Sequence, residues 1–302
     1  MNKIRQVALI SGAGGFIGSH LSKRLVSSGW EVHIIAREGS DLSEVRKLTD
    51  DRITIHVHNE IISNMMDIVA KSKPMVVFHL ASLFLPQHQY EDIAKLVESN
   101  ILFGTQLIDA MVKNGVYRLI NTGTSWQHYQ NEAYNPVCLY AATKQAFESM
   151  LIYYQKTTPL KVITLKLFDT YGPNDKRKKL FSLLKDSINT NVPLLMSEGE
   201  QYIDLVYIDD VIEAFIISLK HLFSNHSKYL RDYAVTSGNP IKLKDLVLLI
   251  EKALGKKINI IWGGKPYRDR EVMMPWNVGQ QLPEWEAKVK LVDGISKIIR
   301  YD

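Results

Sequence analysis

Tyr140 and Lys144 stand four residues apart in the run Tyr140-Ala141-Ala142-Thr143-Lys144, so on a helix a phenol and an ammonium share one face. A nearby ammonium favours the phenolate and lowers the phenol pKa from about 10 toward the working range. Such a Tyr can give a proton to a carbonyl oxygen or take one from an alcohol. Upstream, Leu119-Ile120-Asn121-Thr122-Gly123-Thr124-Ser125 reads as a strand running out into hydroxyl side chains, and Thr124 or Ser125 can hydrogen-bond the same oxygen. The candidate catalytic set is Thr124, Tyr140 and Lys144, with Ser125 as the substitute for Thr124. A Tyr and a Lys at this spacing also occur as packing and solvent residues, so the pair takes its meaning from the elements around it.

The first of those elements is a turn. Gly12-Ala13-Gly14-Gly15-Phe16-Ile17-Gly18 follows the apolar run Val7-Ala8-Leu9-Ile10 and opens a helical pattern. A strand, a Gly-rich turn and a helix form the phosphate-binding start of a Rossmann sheet. Gly12 permits the sharp turn, Gly15 a close approach to a pyrophosphate, and Gly18 tight packing of helix on strand. The helix N-terminus offers N–H groups and partial positive charge to the phosphates. With a nicotinamide dinucleotide in that turn, Tyr140 would move a proton while hydride moves to or from the ring. In NAD-specific sites an acid near the end of the second strand takes the ribose hydroxyls, and in NADP sites an Arg takes the extra phosphate. This strand ends Ile34-Ile35-Ala36-Arg37. The missing acid and adjacent cation favour NADP(H), with Ser40 as a further hydroxyl for the phosphate.

Strand-like runs at 7–11, 31–36, 53–58, 75–80, 118–122 and 161–167 alternate with helical patterns at 19–28, 43–47, 91–114 and 141–155. This β-α-β rhythm predicts an α/β fold, a doubly wound parallel sheet covered on both faces. After about Phe168 the rhythm gives way to Gly/Pro loops and shorter elements. We therefore expect a nucleotide-binding domain over 1–167 plus 204–222, and a smaller, discontinuous substrate domain over 168–203 plus 223–302. The 302 residues are 46% hydrophobic, ordinary for a globular chain. No apolar run has the length of a membrane span, and the N-terminus shows no signal-peptide pattern. The single Cys138 rules out an intrachain disulfide and fits a reducing cytoplasm. The net charge of +5 is dispersed, apart from the cluster Lys176-Arg177-Lys178-Lys179. That cluster reads as a site for a small phosphorylated anion in preference to nucleic acid. The His residues lack metal-site spacing.

In order and approximate spacing, a set of landmarks resembles the extended short-chain dehydrogenase/reductases, their nucleotide-sugar-modifying branch in particular. They are the Gly12/Gly15/Gly18 turn, Val77-Phe78-His79-Leu80-Ala81-Ser82, Asn100 with Gly104-Thr105, Thr124 with Tyr140/Lys144, Asp169-Thr170-Tyr171-Gly172-Pro173, and the run Gln201–Val211. The resemblance covers nearly the whole chain. It implies that Leu80, Ala81 and Ser82 lie along the cofactor, beside Phe16, Ile17, Thr122, Leu167 and Thr170. It also implies that Asn100 supports the active-site helix and that Lys144 holds the nicotinamide ribose. On the substrate side it points to Ser125, Trp126, Asp169, Leu180 and Gln201, and to Arg268 as the diphosphate-binding residue. Arg177 and Lys179 are added from the basic cluster. Trp126 reads equally as a stacking face for a sugar or as lid packing.

The departures narrow the chemistry. Ser125-Trp126 follows Thr124 where the family's dehydratases carry an Asp-Glu pair. Ala36 stands where 4-epimerases hold an acid for tightly bound NAD. The short span from Thr124 to Tyr140 and the Asn121-Thr122 lead-in are similar to CDP-abequose synthase and related 4-ketohexose reductases. Lys166 and Ile203 replace Arg residues common in the family. The expectation is a cytoplasmic NADPH-dependent reductase of the C4 ketone of a nucleoside-diphosphate 6-deoxy or 3,6-dideoxy hexose, serving surface-polysaccharide synthesis. A 4-epimerase, or a non-catalytic NADP-binding sensor, is the alternative. Apolar positions on the long helices, Leu96, Leu102, Leu107, Met150, Leu151 and Tyr154, suggest a homodimer.

Overall fold

Val7–Ser11, fully buried, forms β1 in a computed structural model that describes residues 5–48, 50–177, 179–190, 192–224 and 231–301. The chain continues through α1 (Phe16–Ser27), β2 (Glu31–Arg37), α2 (Ser43–Arg46), β3 (Ile53–His58), α3 (Ile62–Ser72) and β4 (Val76–His79). Next come α4 (Asp92–Val97), a π-helical turn at Glu98–Leu102, α5 (Phe103–Lys113), β5 (Arg118–Thr124), α6 (Leu139–Thr157) and β6 (Lys161–Leu167). The remainder holds β7 (Asp169–Tyr171), α7 (Leu180–Thr190), β8 (Leu194–Leu195), β9 (Tyr202–Ile203), β10 (Leu205–Tyr207) and α8 (Ile208–Phe223). It closes with β11 (Arg231–Val235), β12 (Ile241–Lys242), α9 (Leu243–Leu254), β13 (Ile260–Ile261) and α10 (Leu291–Tyr301).

Seven strands form one sheet in the order β3-β2-β1-β4-β5-β6-β11, and every neighbouring pair is parallel. Successive side chains enter opposite faces. Ala8, Ile10, Phe78, Ile120 and Leu165 join the core under α1 and α8, whereas Leu9, Val77, Leu119 and Val162 join the core under α3, α5 and α6. Both faces are thus covered, as a parallel sheet requires. A third apolar cluster around Leu184, Leu246, Val247, Ile250 and Ile295 unites α7, α9 and α10. Strand order reverses between β1 and β4, and ligands of such sheets bind outside the carboxyl ends of the strands at that point.

Several boundaries differ from the sequence reading. α3 was not anticipated, because no side chain caps its start at Ile61 and the start signal is missing. The expected helix 91–114 is interrupted by the π turn. The segment 204–222 does return to the large sheet, but as a helix: α8 packs on α1, β5 and β6, while β10 pairs with β7 in a separate two-stranded sheet. The strand that completes the large sheet is β11, placed by sequence in the smaller unit. Among the apolar helix positions read as surplus surface, Leu96, Leu107 and Leu151 are core residues, and Tyr154 donates its hydroxyl to Asp109. The exposed apolar side chains on these helices are Ile93, Val97, Leu102, Met150, Ile152 and Tyr153. No helix among the described residues is long and apolar enough to cross a membrane.

A Cβ at Gly18 would run into the Gly12 carbonyl oxygen and lie 2.7 Å from the Ala13 Cα, both backbone atoms that cannot swing aside. Gly18→Ala is therefore expected to cost about 1–3 kcal/mol of stability by overpacking, measured as a lowered midpoint in urea unfolding. Lys23→Ala, at an exposed position of the same helix, serves as the control, since surface substitutions of this kind stay within about 0.5 kcal/mol.

Candidate active site

The turn after β1 fits a dinucleotide pyrophosphate. Gly12 has φ +79°, and a Cβ on it would lie 2.5 Å from the Ala81 nitrogen, so the β1 and β4 exits meet here in direct backbone contact. At Gly15 a Cβ would meet only the Gly12 oxygen, at 3.3 Å, which leaves that side open. Gly15 caps α1 in an extended conformation, with no side-chain cap and no acidic residue in the first turn. The first-turn donors of α1 are thus offered to an anion. Gly14, which the sequence reading left without a role, faces the Asp41 carbonyl so closely that no Cβ fits. Through that contact the loop after β2 is packed onto the turn. Ala36 is buried at the end of β2 and Arg37 is exposed, and the Ser40 N–H donates to the Arg37 carbonyl at 3.1 Å. Lys176 reaches the same rim, 2.9 Å from Glu44. Arg177 lies on the cofactor side and not in the substrate pocket: its guanidinium stands 4.7 Å over the Phe16 ring, pairs with Asp175 and donates to the Thr170 carbonyl. Lys178 of the basic cluster lies outside the described residues.

Tyr140 heads α6 on the far side of this cleft. The hydroxyls of Ser82 and Thr124 lie beside its phenol and favour the ionised form, and Phe84 packs edge-on against its ring at 4.9 Å. Ser82, Thr124 and Tyr140 therefore converge from β4, β5 and α6. The expected lowering of the Tyr140 pKa by Lys144 is reversed: burial pushes the phenol well above its ordinary value, opposed only by the Ser82 and Thr124 hydroxyls. Lys144 is buried too. Burial lowers its pKa to about 8, with the Lys166 charge acting in the same direction and Glu148 in the opposite one. Removal from water is the leading cause for both groups.

Asn100 locks these parts together. Its side-chain oxygen accepts from the Leu83 N–H at 2.7 Å and the Ser82 hydroxyl at 3.0 Å. Its amide donates to the Leu83 carbonyl at 3.0 Å and to Thr143 at 2.9 Å, and Thr143 in turn donates to the Tyr140 carbonyl at 2.7 Å. The π turn carries Asn100 into this buried position, a placement such turns often serve. On the β1–β4 seam Ser11 shares a hydrogen bond with His79 at 2.8 Å, and Thr122 donates to the His79 carbonyl at 3.0 Å. Burial, then the Lys144 charge, lowers the His79 pKa to about 3, so the ring is neutral near pH 7. Beneath Thr124, Gln127 and the buried pair Glu148–Lys166 form a network that the sequence reading did not find. Its signals were present: Thr124-Ser125-Trp126-Gln127 has capping-box spacing, and the structure forms that box. Glu148 falls one turn after Lys144.

A pocket opens beyond Thr124, lined among others by Ser125, Trp126, Asp169, Arg268, Glu271 and Trp276. Arg268 stands over Trp126 at 5.2 Å and is held by both oxygens of Glu271 at 2.9 and 2.7 Å. Trp126 also packs on Phe84 at 5.5 Å, so it lines the pocket and closes its side at once. Lys179 lies at the rim, 3.4 Å from Asp169 and 5.7 Å over Phe84. Two expected residues stand elsewhere. Gln201 is buried and bonds Ser197, and Leu180 packs into the third apolar cluster. Leu80 follows β4 and Leu167 ends β6 beside the cleft, both partly buried.

A family model, the NAD dependent epimerase/dehydratase family, matches residues 8–231. The chain is 24% identical to CDP-abequose synthase of Salmonella typhimurium over 99% of both chains. It is 26% identical to CDP-abequose synthase of Yersinia pseudotuberculosis over 97% of this chain and 99% of that one. Among solved structures it resembles UDP-glucuronic acid 4-epimerase of Bacillus cereus, in complex with UDP-glucuronic acid and NAD, with a TM-score of 0.83 and 22% identity over 98% of both chains. The UDP-glucose 4-epimerase of Thermus thermophilus, in complex with NAD, gives 0.81 and 23%, also over 98% of both chains.

Because burial raises the Tyr140 phenol, no phenolate forms at this position at neutral pH in the protein alone. Near-ultraviolet difference titration of the wild type against Tyr140→Phe is expected to show no Tyr140 ionisation below a pH of about 10, the ordinary tyrosine value. A difference signal at lower pH contradicts the arrangement described.

Proposed function

The chain belongs to the NAD dependent epimerase/dehydratase family, and on that premise we propose that it is an NADPH-dependent reductase of the C4 ketone of a nucleoside-diphosphate 6-deoxy or 3,6-dideoxy hexose. The observation that carries this reading is the surround of Tyr140: the Ser82 and Thr124 hydroxyls beside its phenol, with Ser125-Trp126 and no carboxylate directly after Thr124. The likeness to CDP-abequose synthases over almost the full length of both chains supports it.

In this mechanism the Tyr140 hydroxyl gives its proton to the ketone oxygen, and Thr124, or Ser125 in its place, positions that oxygen. The bound dinucleotide supplies hydride. Lys144 holds a positive charge one helical turn away, which favours the phenolate left on Tyr140 and serves the nicotinamide ribose. Arg37 and Ser40 take the extra phosphate that distinguishes NADP(H). Arg268, held through Nε and one Nη by Glu271, presents its remaining Nη donors to the substrate diphosphate. The exposed apolar side chains of α4, the π turn and α6 pair two copies, and the cytoplasm is the compartment.

A second reading, nucleotide-sugar 4-epimerase, has support from a probable UDP-glucuronate 4-epimerase of Rhizobium meliloti, 25% identical over 97% of this chain and 96% of that one. The two readings separate in one assay: NADPH with a panel of nucleotide 4-ketosugars, cofactor consumption and product configuration read by NMR. A reductase consumes stoichiometric NADPH. An epimerase consumes none and carries NAD through purification. An absence of turnover, with NADP bound, leaves the sensor.

On a confirmed substrate Tyr140→Phe is expected to lower turnover by about 10²–10⁴-fold, the range of general acid–base contributions, while NADPH affinity by fluorescence titration stays near wild type. Arg37→Asp removes the phosphate partner and adds an acceptor for ribose hydroxyls. Its binding preference should move from NADPH toward NADH, and unchanged affinities for both would refute the NADP reading.

A further inference from the structure

α6 carries a third charged residue on the face of Tyr140 and Lys144. Glu148 follows Lys144 by four residues, so the three side chains rise one above another along the helix. Glu148 and Lys166 are only 2% and 1% exposed, and both Glu148 oxygens accept from the Lys166 ammonium, at 2.7 and 2.6 Å. The same carboxylate accepts from the Gln127 amide at 3.1 Å, and the Gln127 oxygen accepts the Thr124 N–H at 2.9 Å. On β5 and β6, Gly123 and Lys166 are register partners, and a Cβ on Gly123 would lie 2.6 Å from the Lys166 stem. The pair is therefore packed directly beneath Thr124. A buried ion pair is weak as a stabilising device, because removal of two charges from water offsets their attraction. Its connections to Thr124 and Lys144 suggest a different role.

We propose that Glu148 is a positioning residue, with Lys166 as its counter-ion: through Gln127 it fixes the backbone of Thr124, and its charge holds the proton on Lys144 one turn above. The inference takes from the proposed function that Thr124 and Lys144 serve the reaction. The titratable groups facing the pair are Lys144 and Tyr140 on α6, His79 on β4, His128 in the turn after β5, and Asp232 on β11, 3.8 Å from the Lys166 ammonium. His79 is neutral and buried, and burial lowers the His128 pKa. Asp232 is the further carboxylate beside the Lys166 ammonium.

The test needs neither substrate nor cofactor. In protein with isotope-labelled lysine side chains, the Lys144 titration is followed by NMR and assigned with Lys144→Met. Glu148→Gln leaves two buried cations facing each other, so the Lys144 midpoint should fall by about one unit or more, the scale set by a nearby like charge. In the double variant Glu148→Gln/Lys166→Met the midpoint should return toward wild type. Glu148→Asp keeps the charge on a shorter arm. It should leave the Lys144 midpoint near wild type and move the Thr124 amide resonance. An unshifted Lys144 in Glu148→Gln, an equal shift in the double variant, or an unmoved Thr124 amide in Glu148→Asp overturns the proposal. If Glu148→Gln does not fold, the Glu148→Asp amide shift decides. An absence of ketosugar reduction alongside the expected titrations counts against the reductase reading alone.

Discussion

The contact between the exits of β1 and β4 governs the architecture of the site. Gly12 touches the Ala81 backbone because these strands are neighbours at the point where strand order reverses. That contact sets the cleft: α1 leaves it on one side with its N-terminal donors, and the Leu80–Ser82 segment leaves it on the other. Ser11 and His79 tie the seam from below, since the buried neutral imidazole bonds Ser11 and the Thr122 hydroxyl bonds the His79 carbonyl. Every reacting group of the proposed mechanism is placed by reference to these three strand ends.

Electrostatics at the site follow from dryness more than from pairing. Tyr140 and Lys144 are displaced in opposite directions, each toward its neutral form, and burial is the leading cause in both. An ammonium that has already lost much of its hydration gains more from a developing phenolate than one in water would. The same site therefore disfavours charge on Tyr140 at rest and favours it once the proton has been given away. Glu148 and Lys166 bring one charge of each sign into this dry region, so the local charge balance is kept without solvent.

The large sheet and the candidate set Thr124, Tyr140 and Lys144 were legible because their signals are local. Glycine spacing, strand hydrophobicity and a four-residue interval each need only a short stretch of chain. That the sheet is parallel and covered on both faces followed from alternation of strands and helices. What escaped depends on contacts between distant segments. β11 has no motif of its own and is defined by pairing with β6. The π turn has no motif of its own, and Leu96 and Leu107 are core residues of the two helices that flank it. Arg177 was assigned by its charge, but its position is decided by the Phe16 ring and by Asp175 in its own loop. The Glu271 clamp on Arg268 shows only in the structure, where both residues line the pocket.

Gly123 and Lys166 face each other across β5 and β6 with no space for a Cβ between them. This imposes an order on sequence change. A side chain at position 123 becomes tolerable only after the stem at 166 has shortened, and a shorter residue at 166 strands the Glu148 carboxylate unless position 148 changes as well. The three positions therefore drift as one unit, and intermediates that alter a single member carry a buried clash or an uncompensated charge.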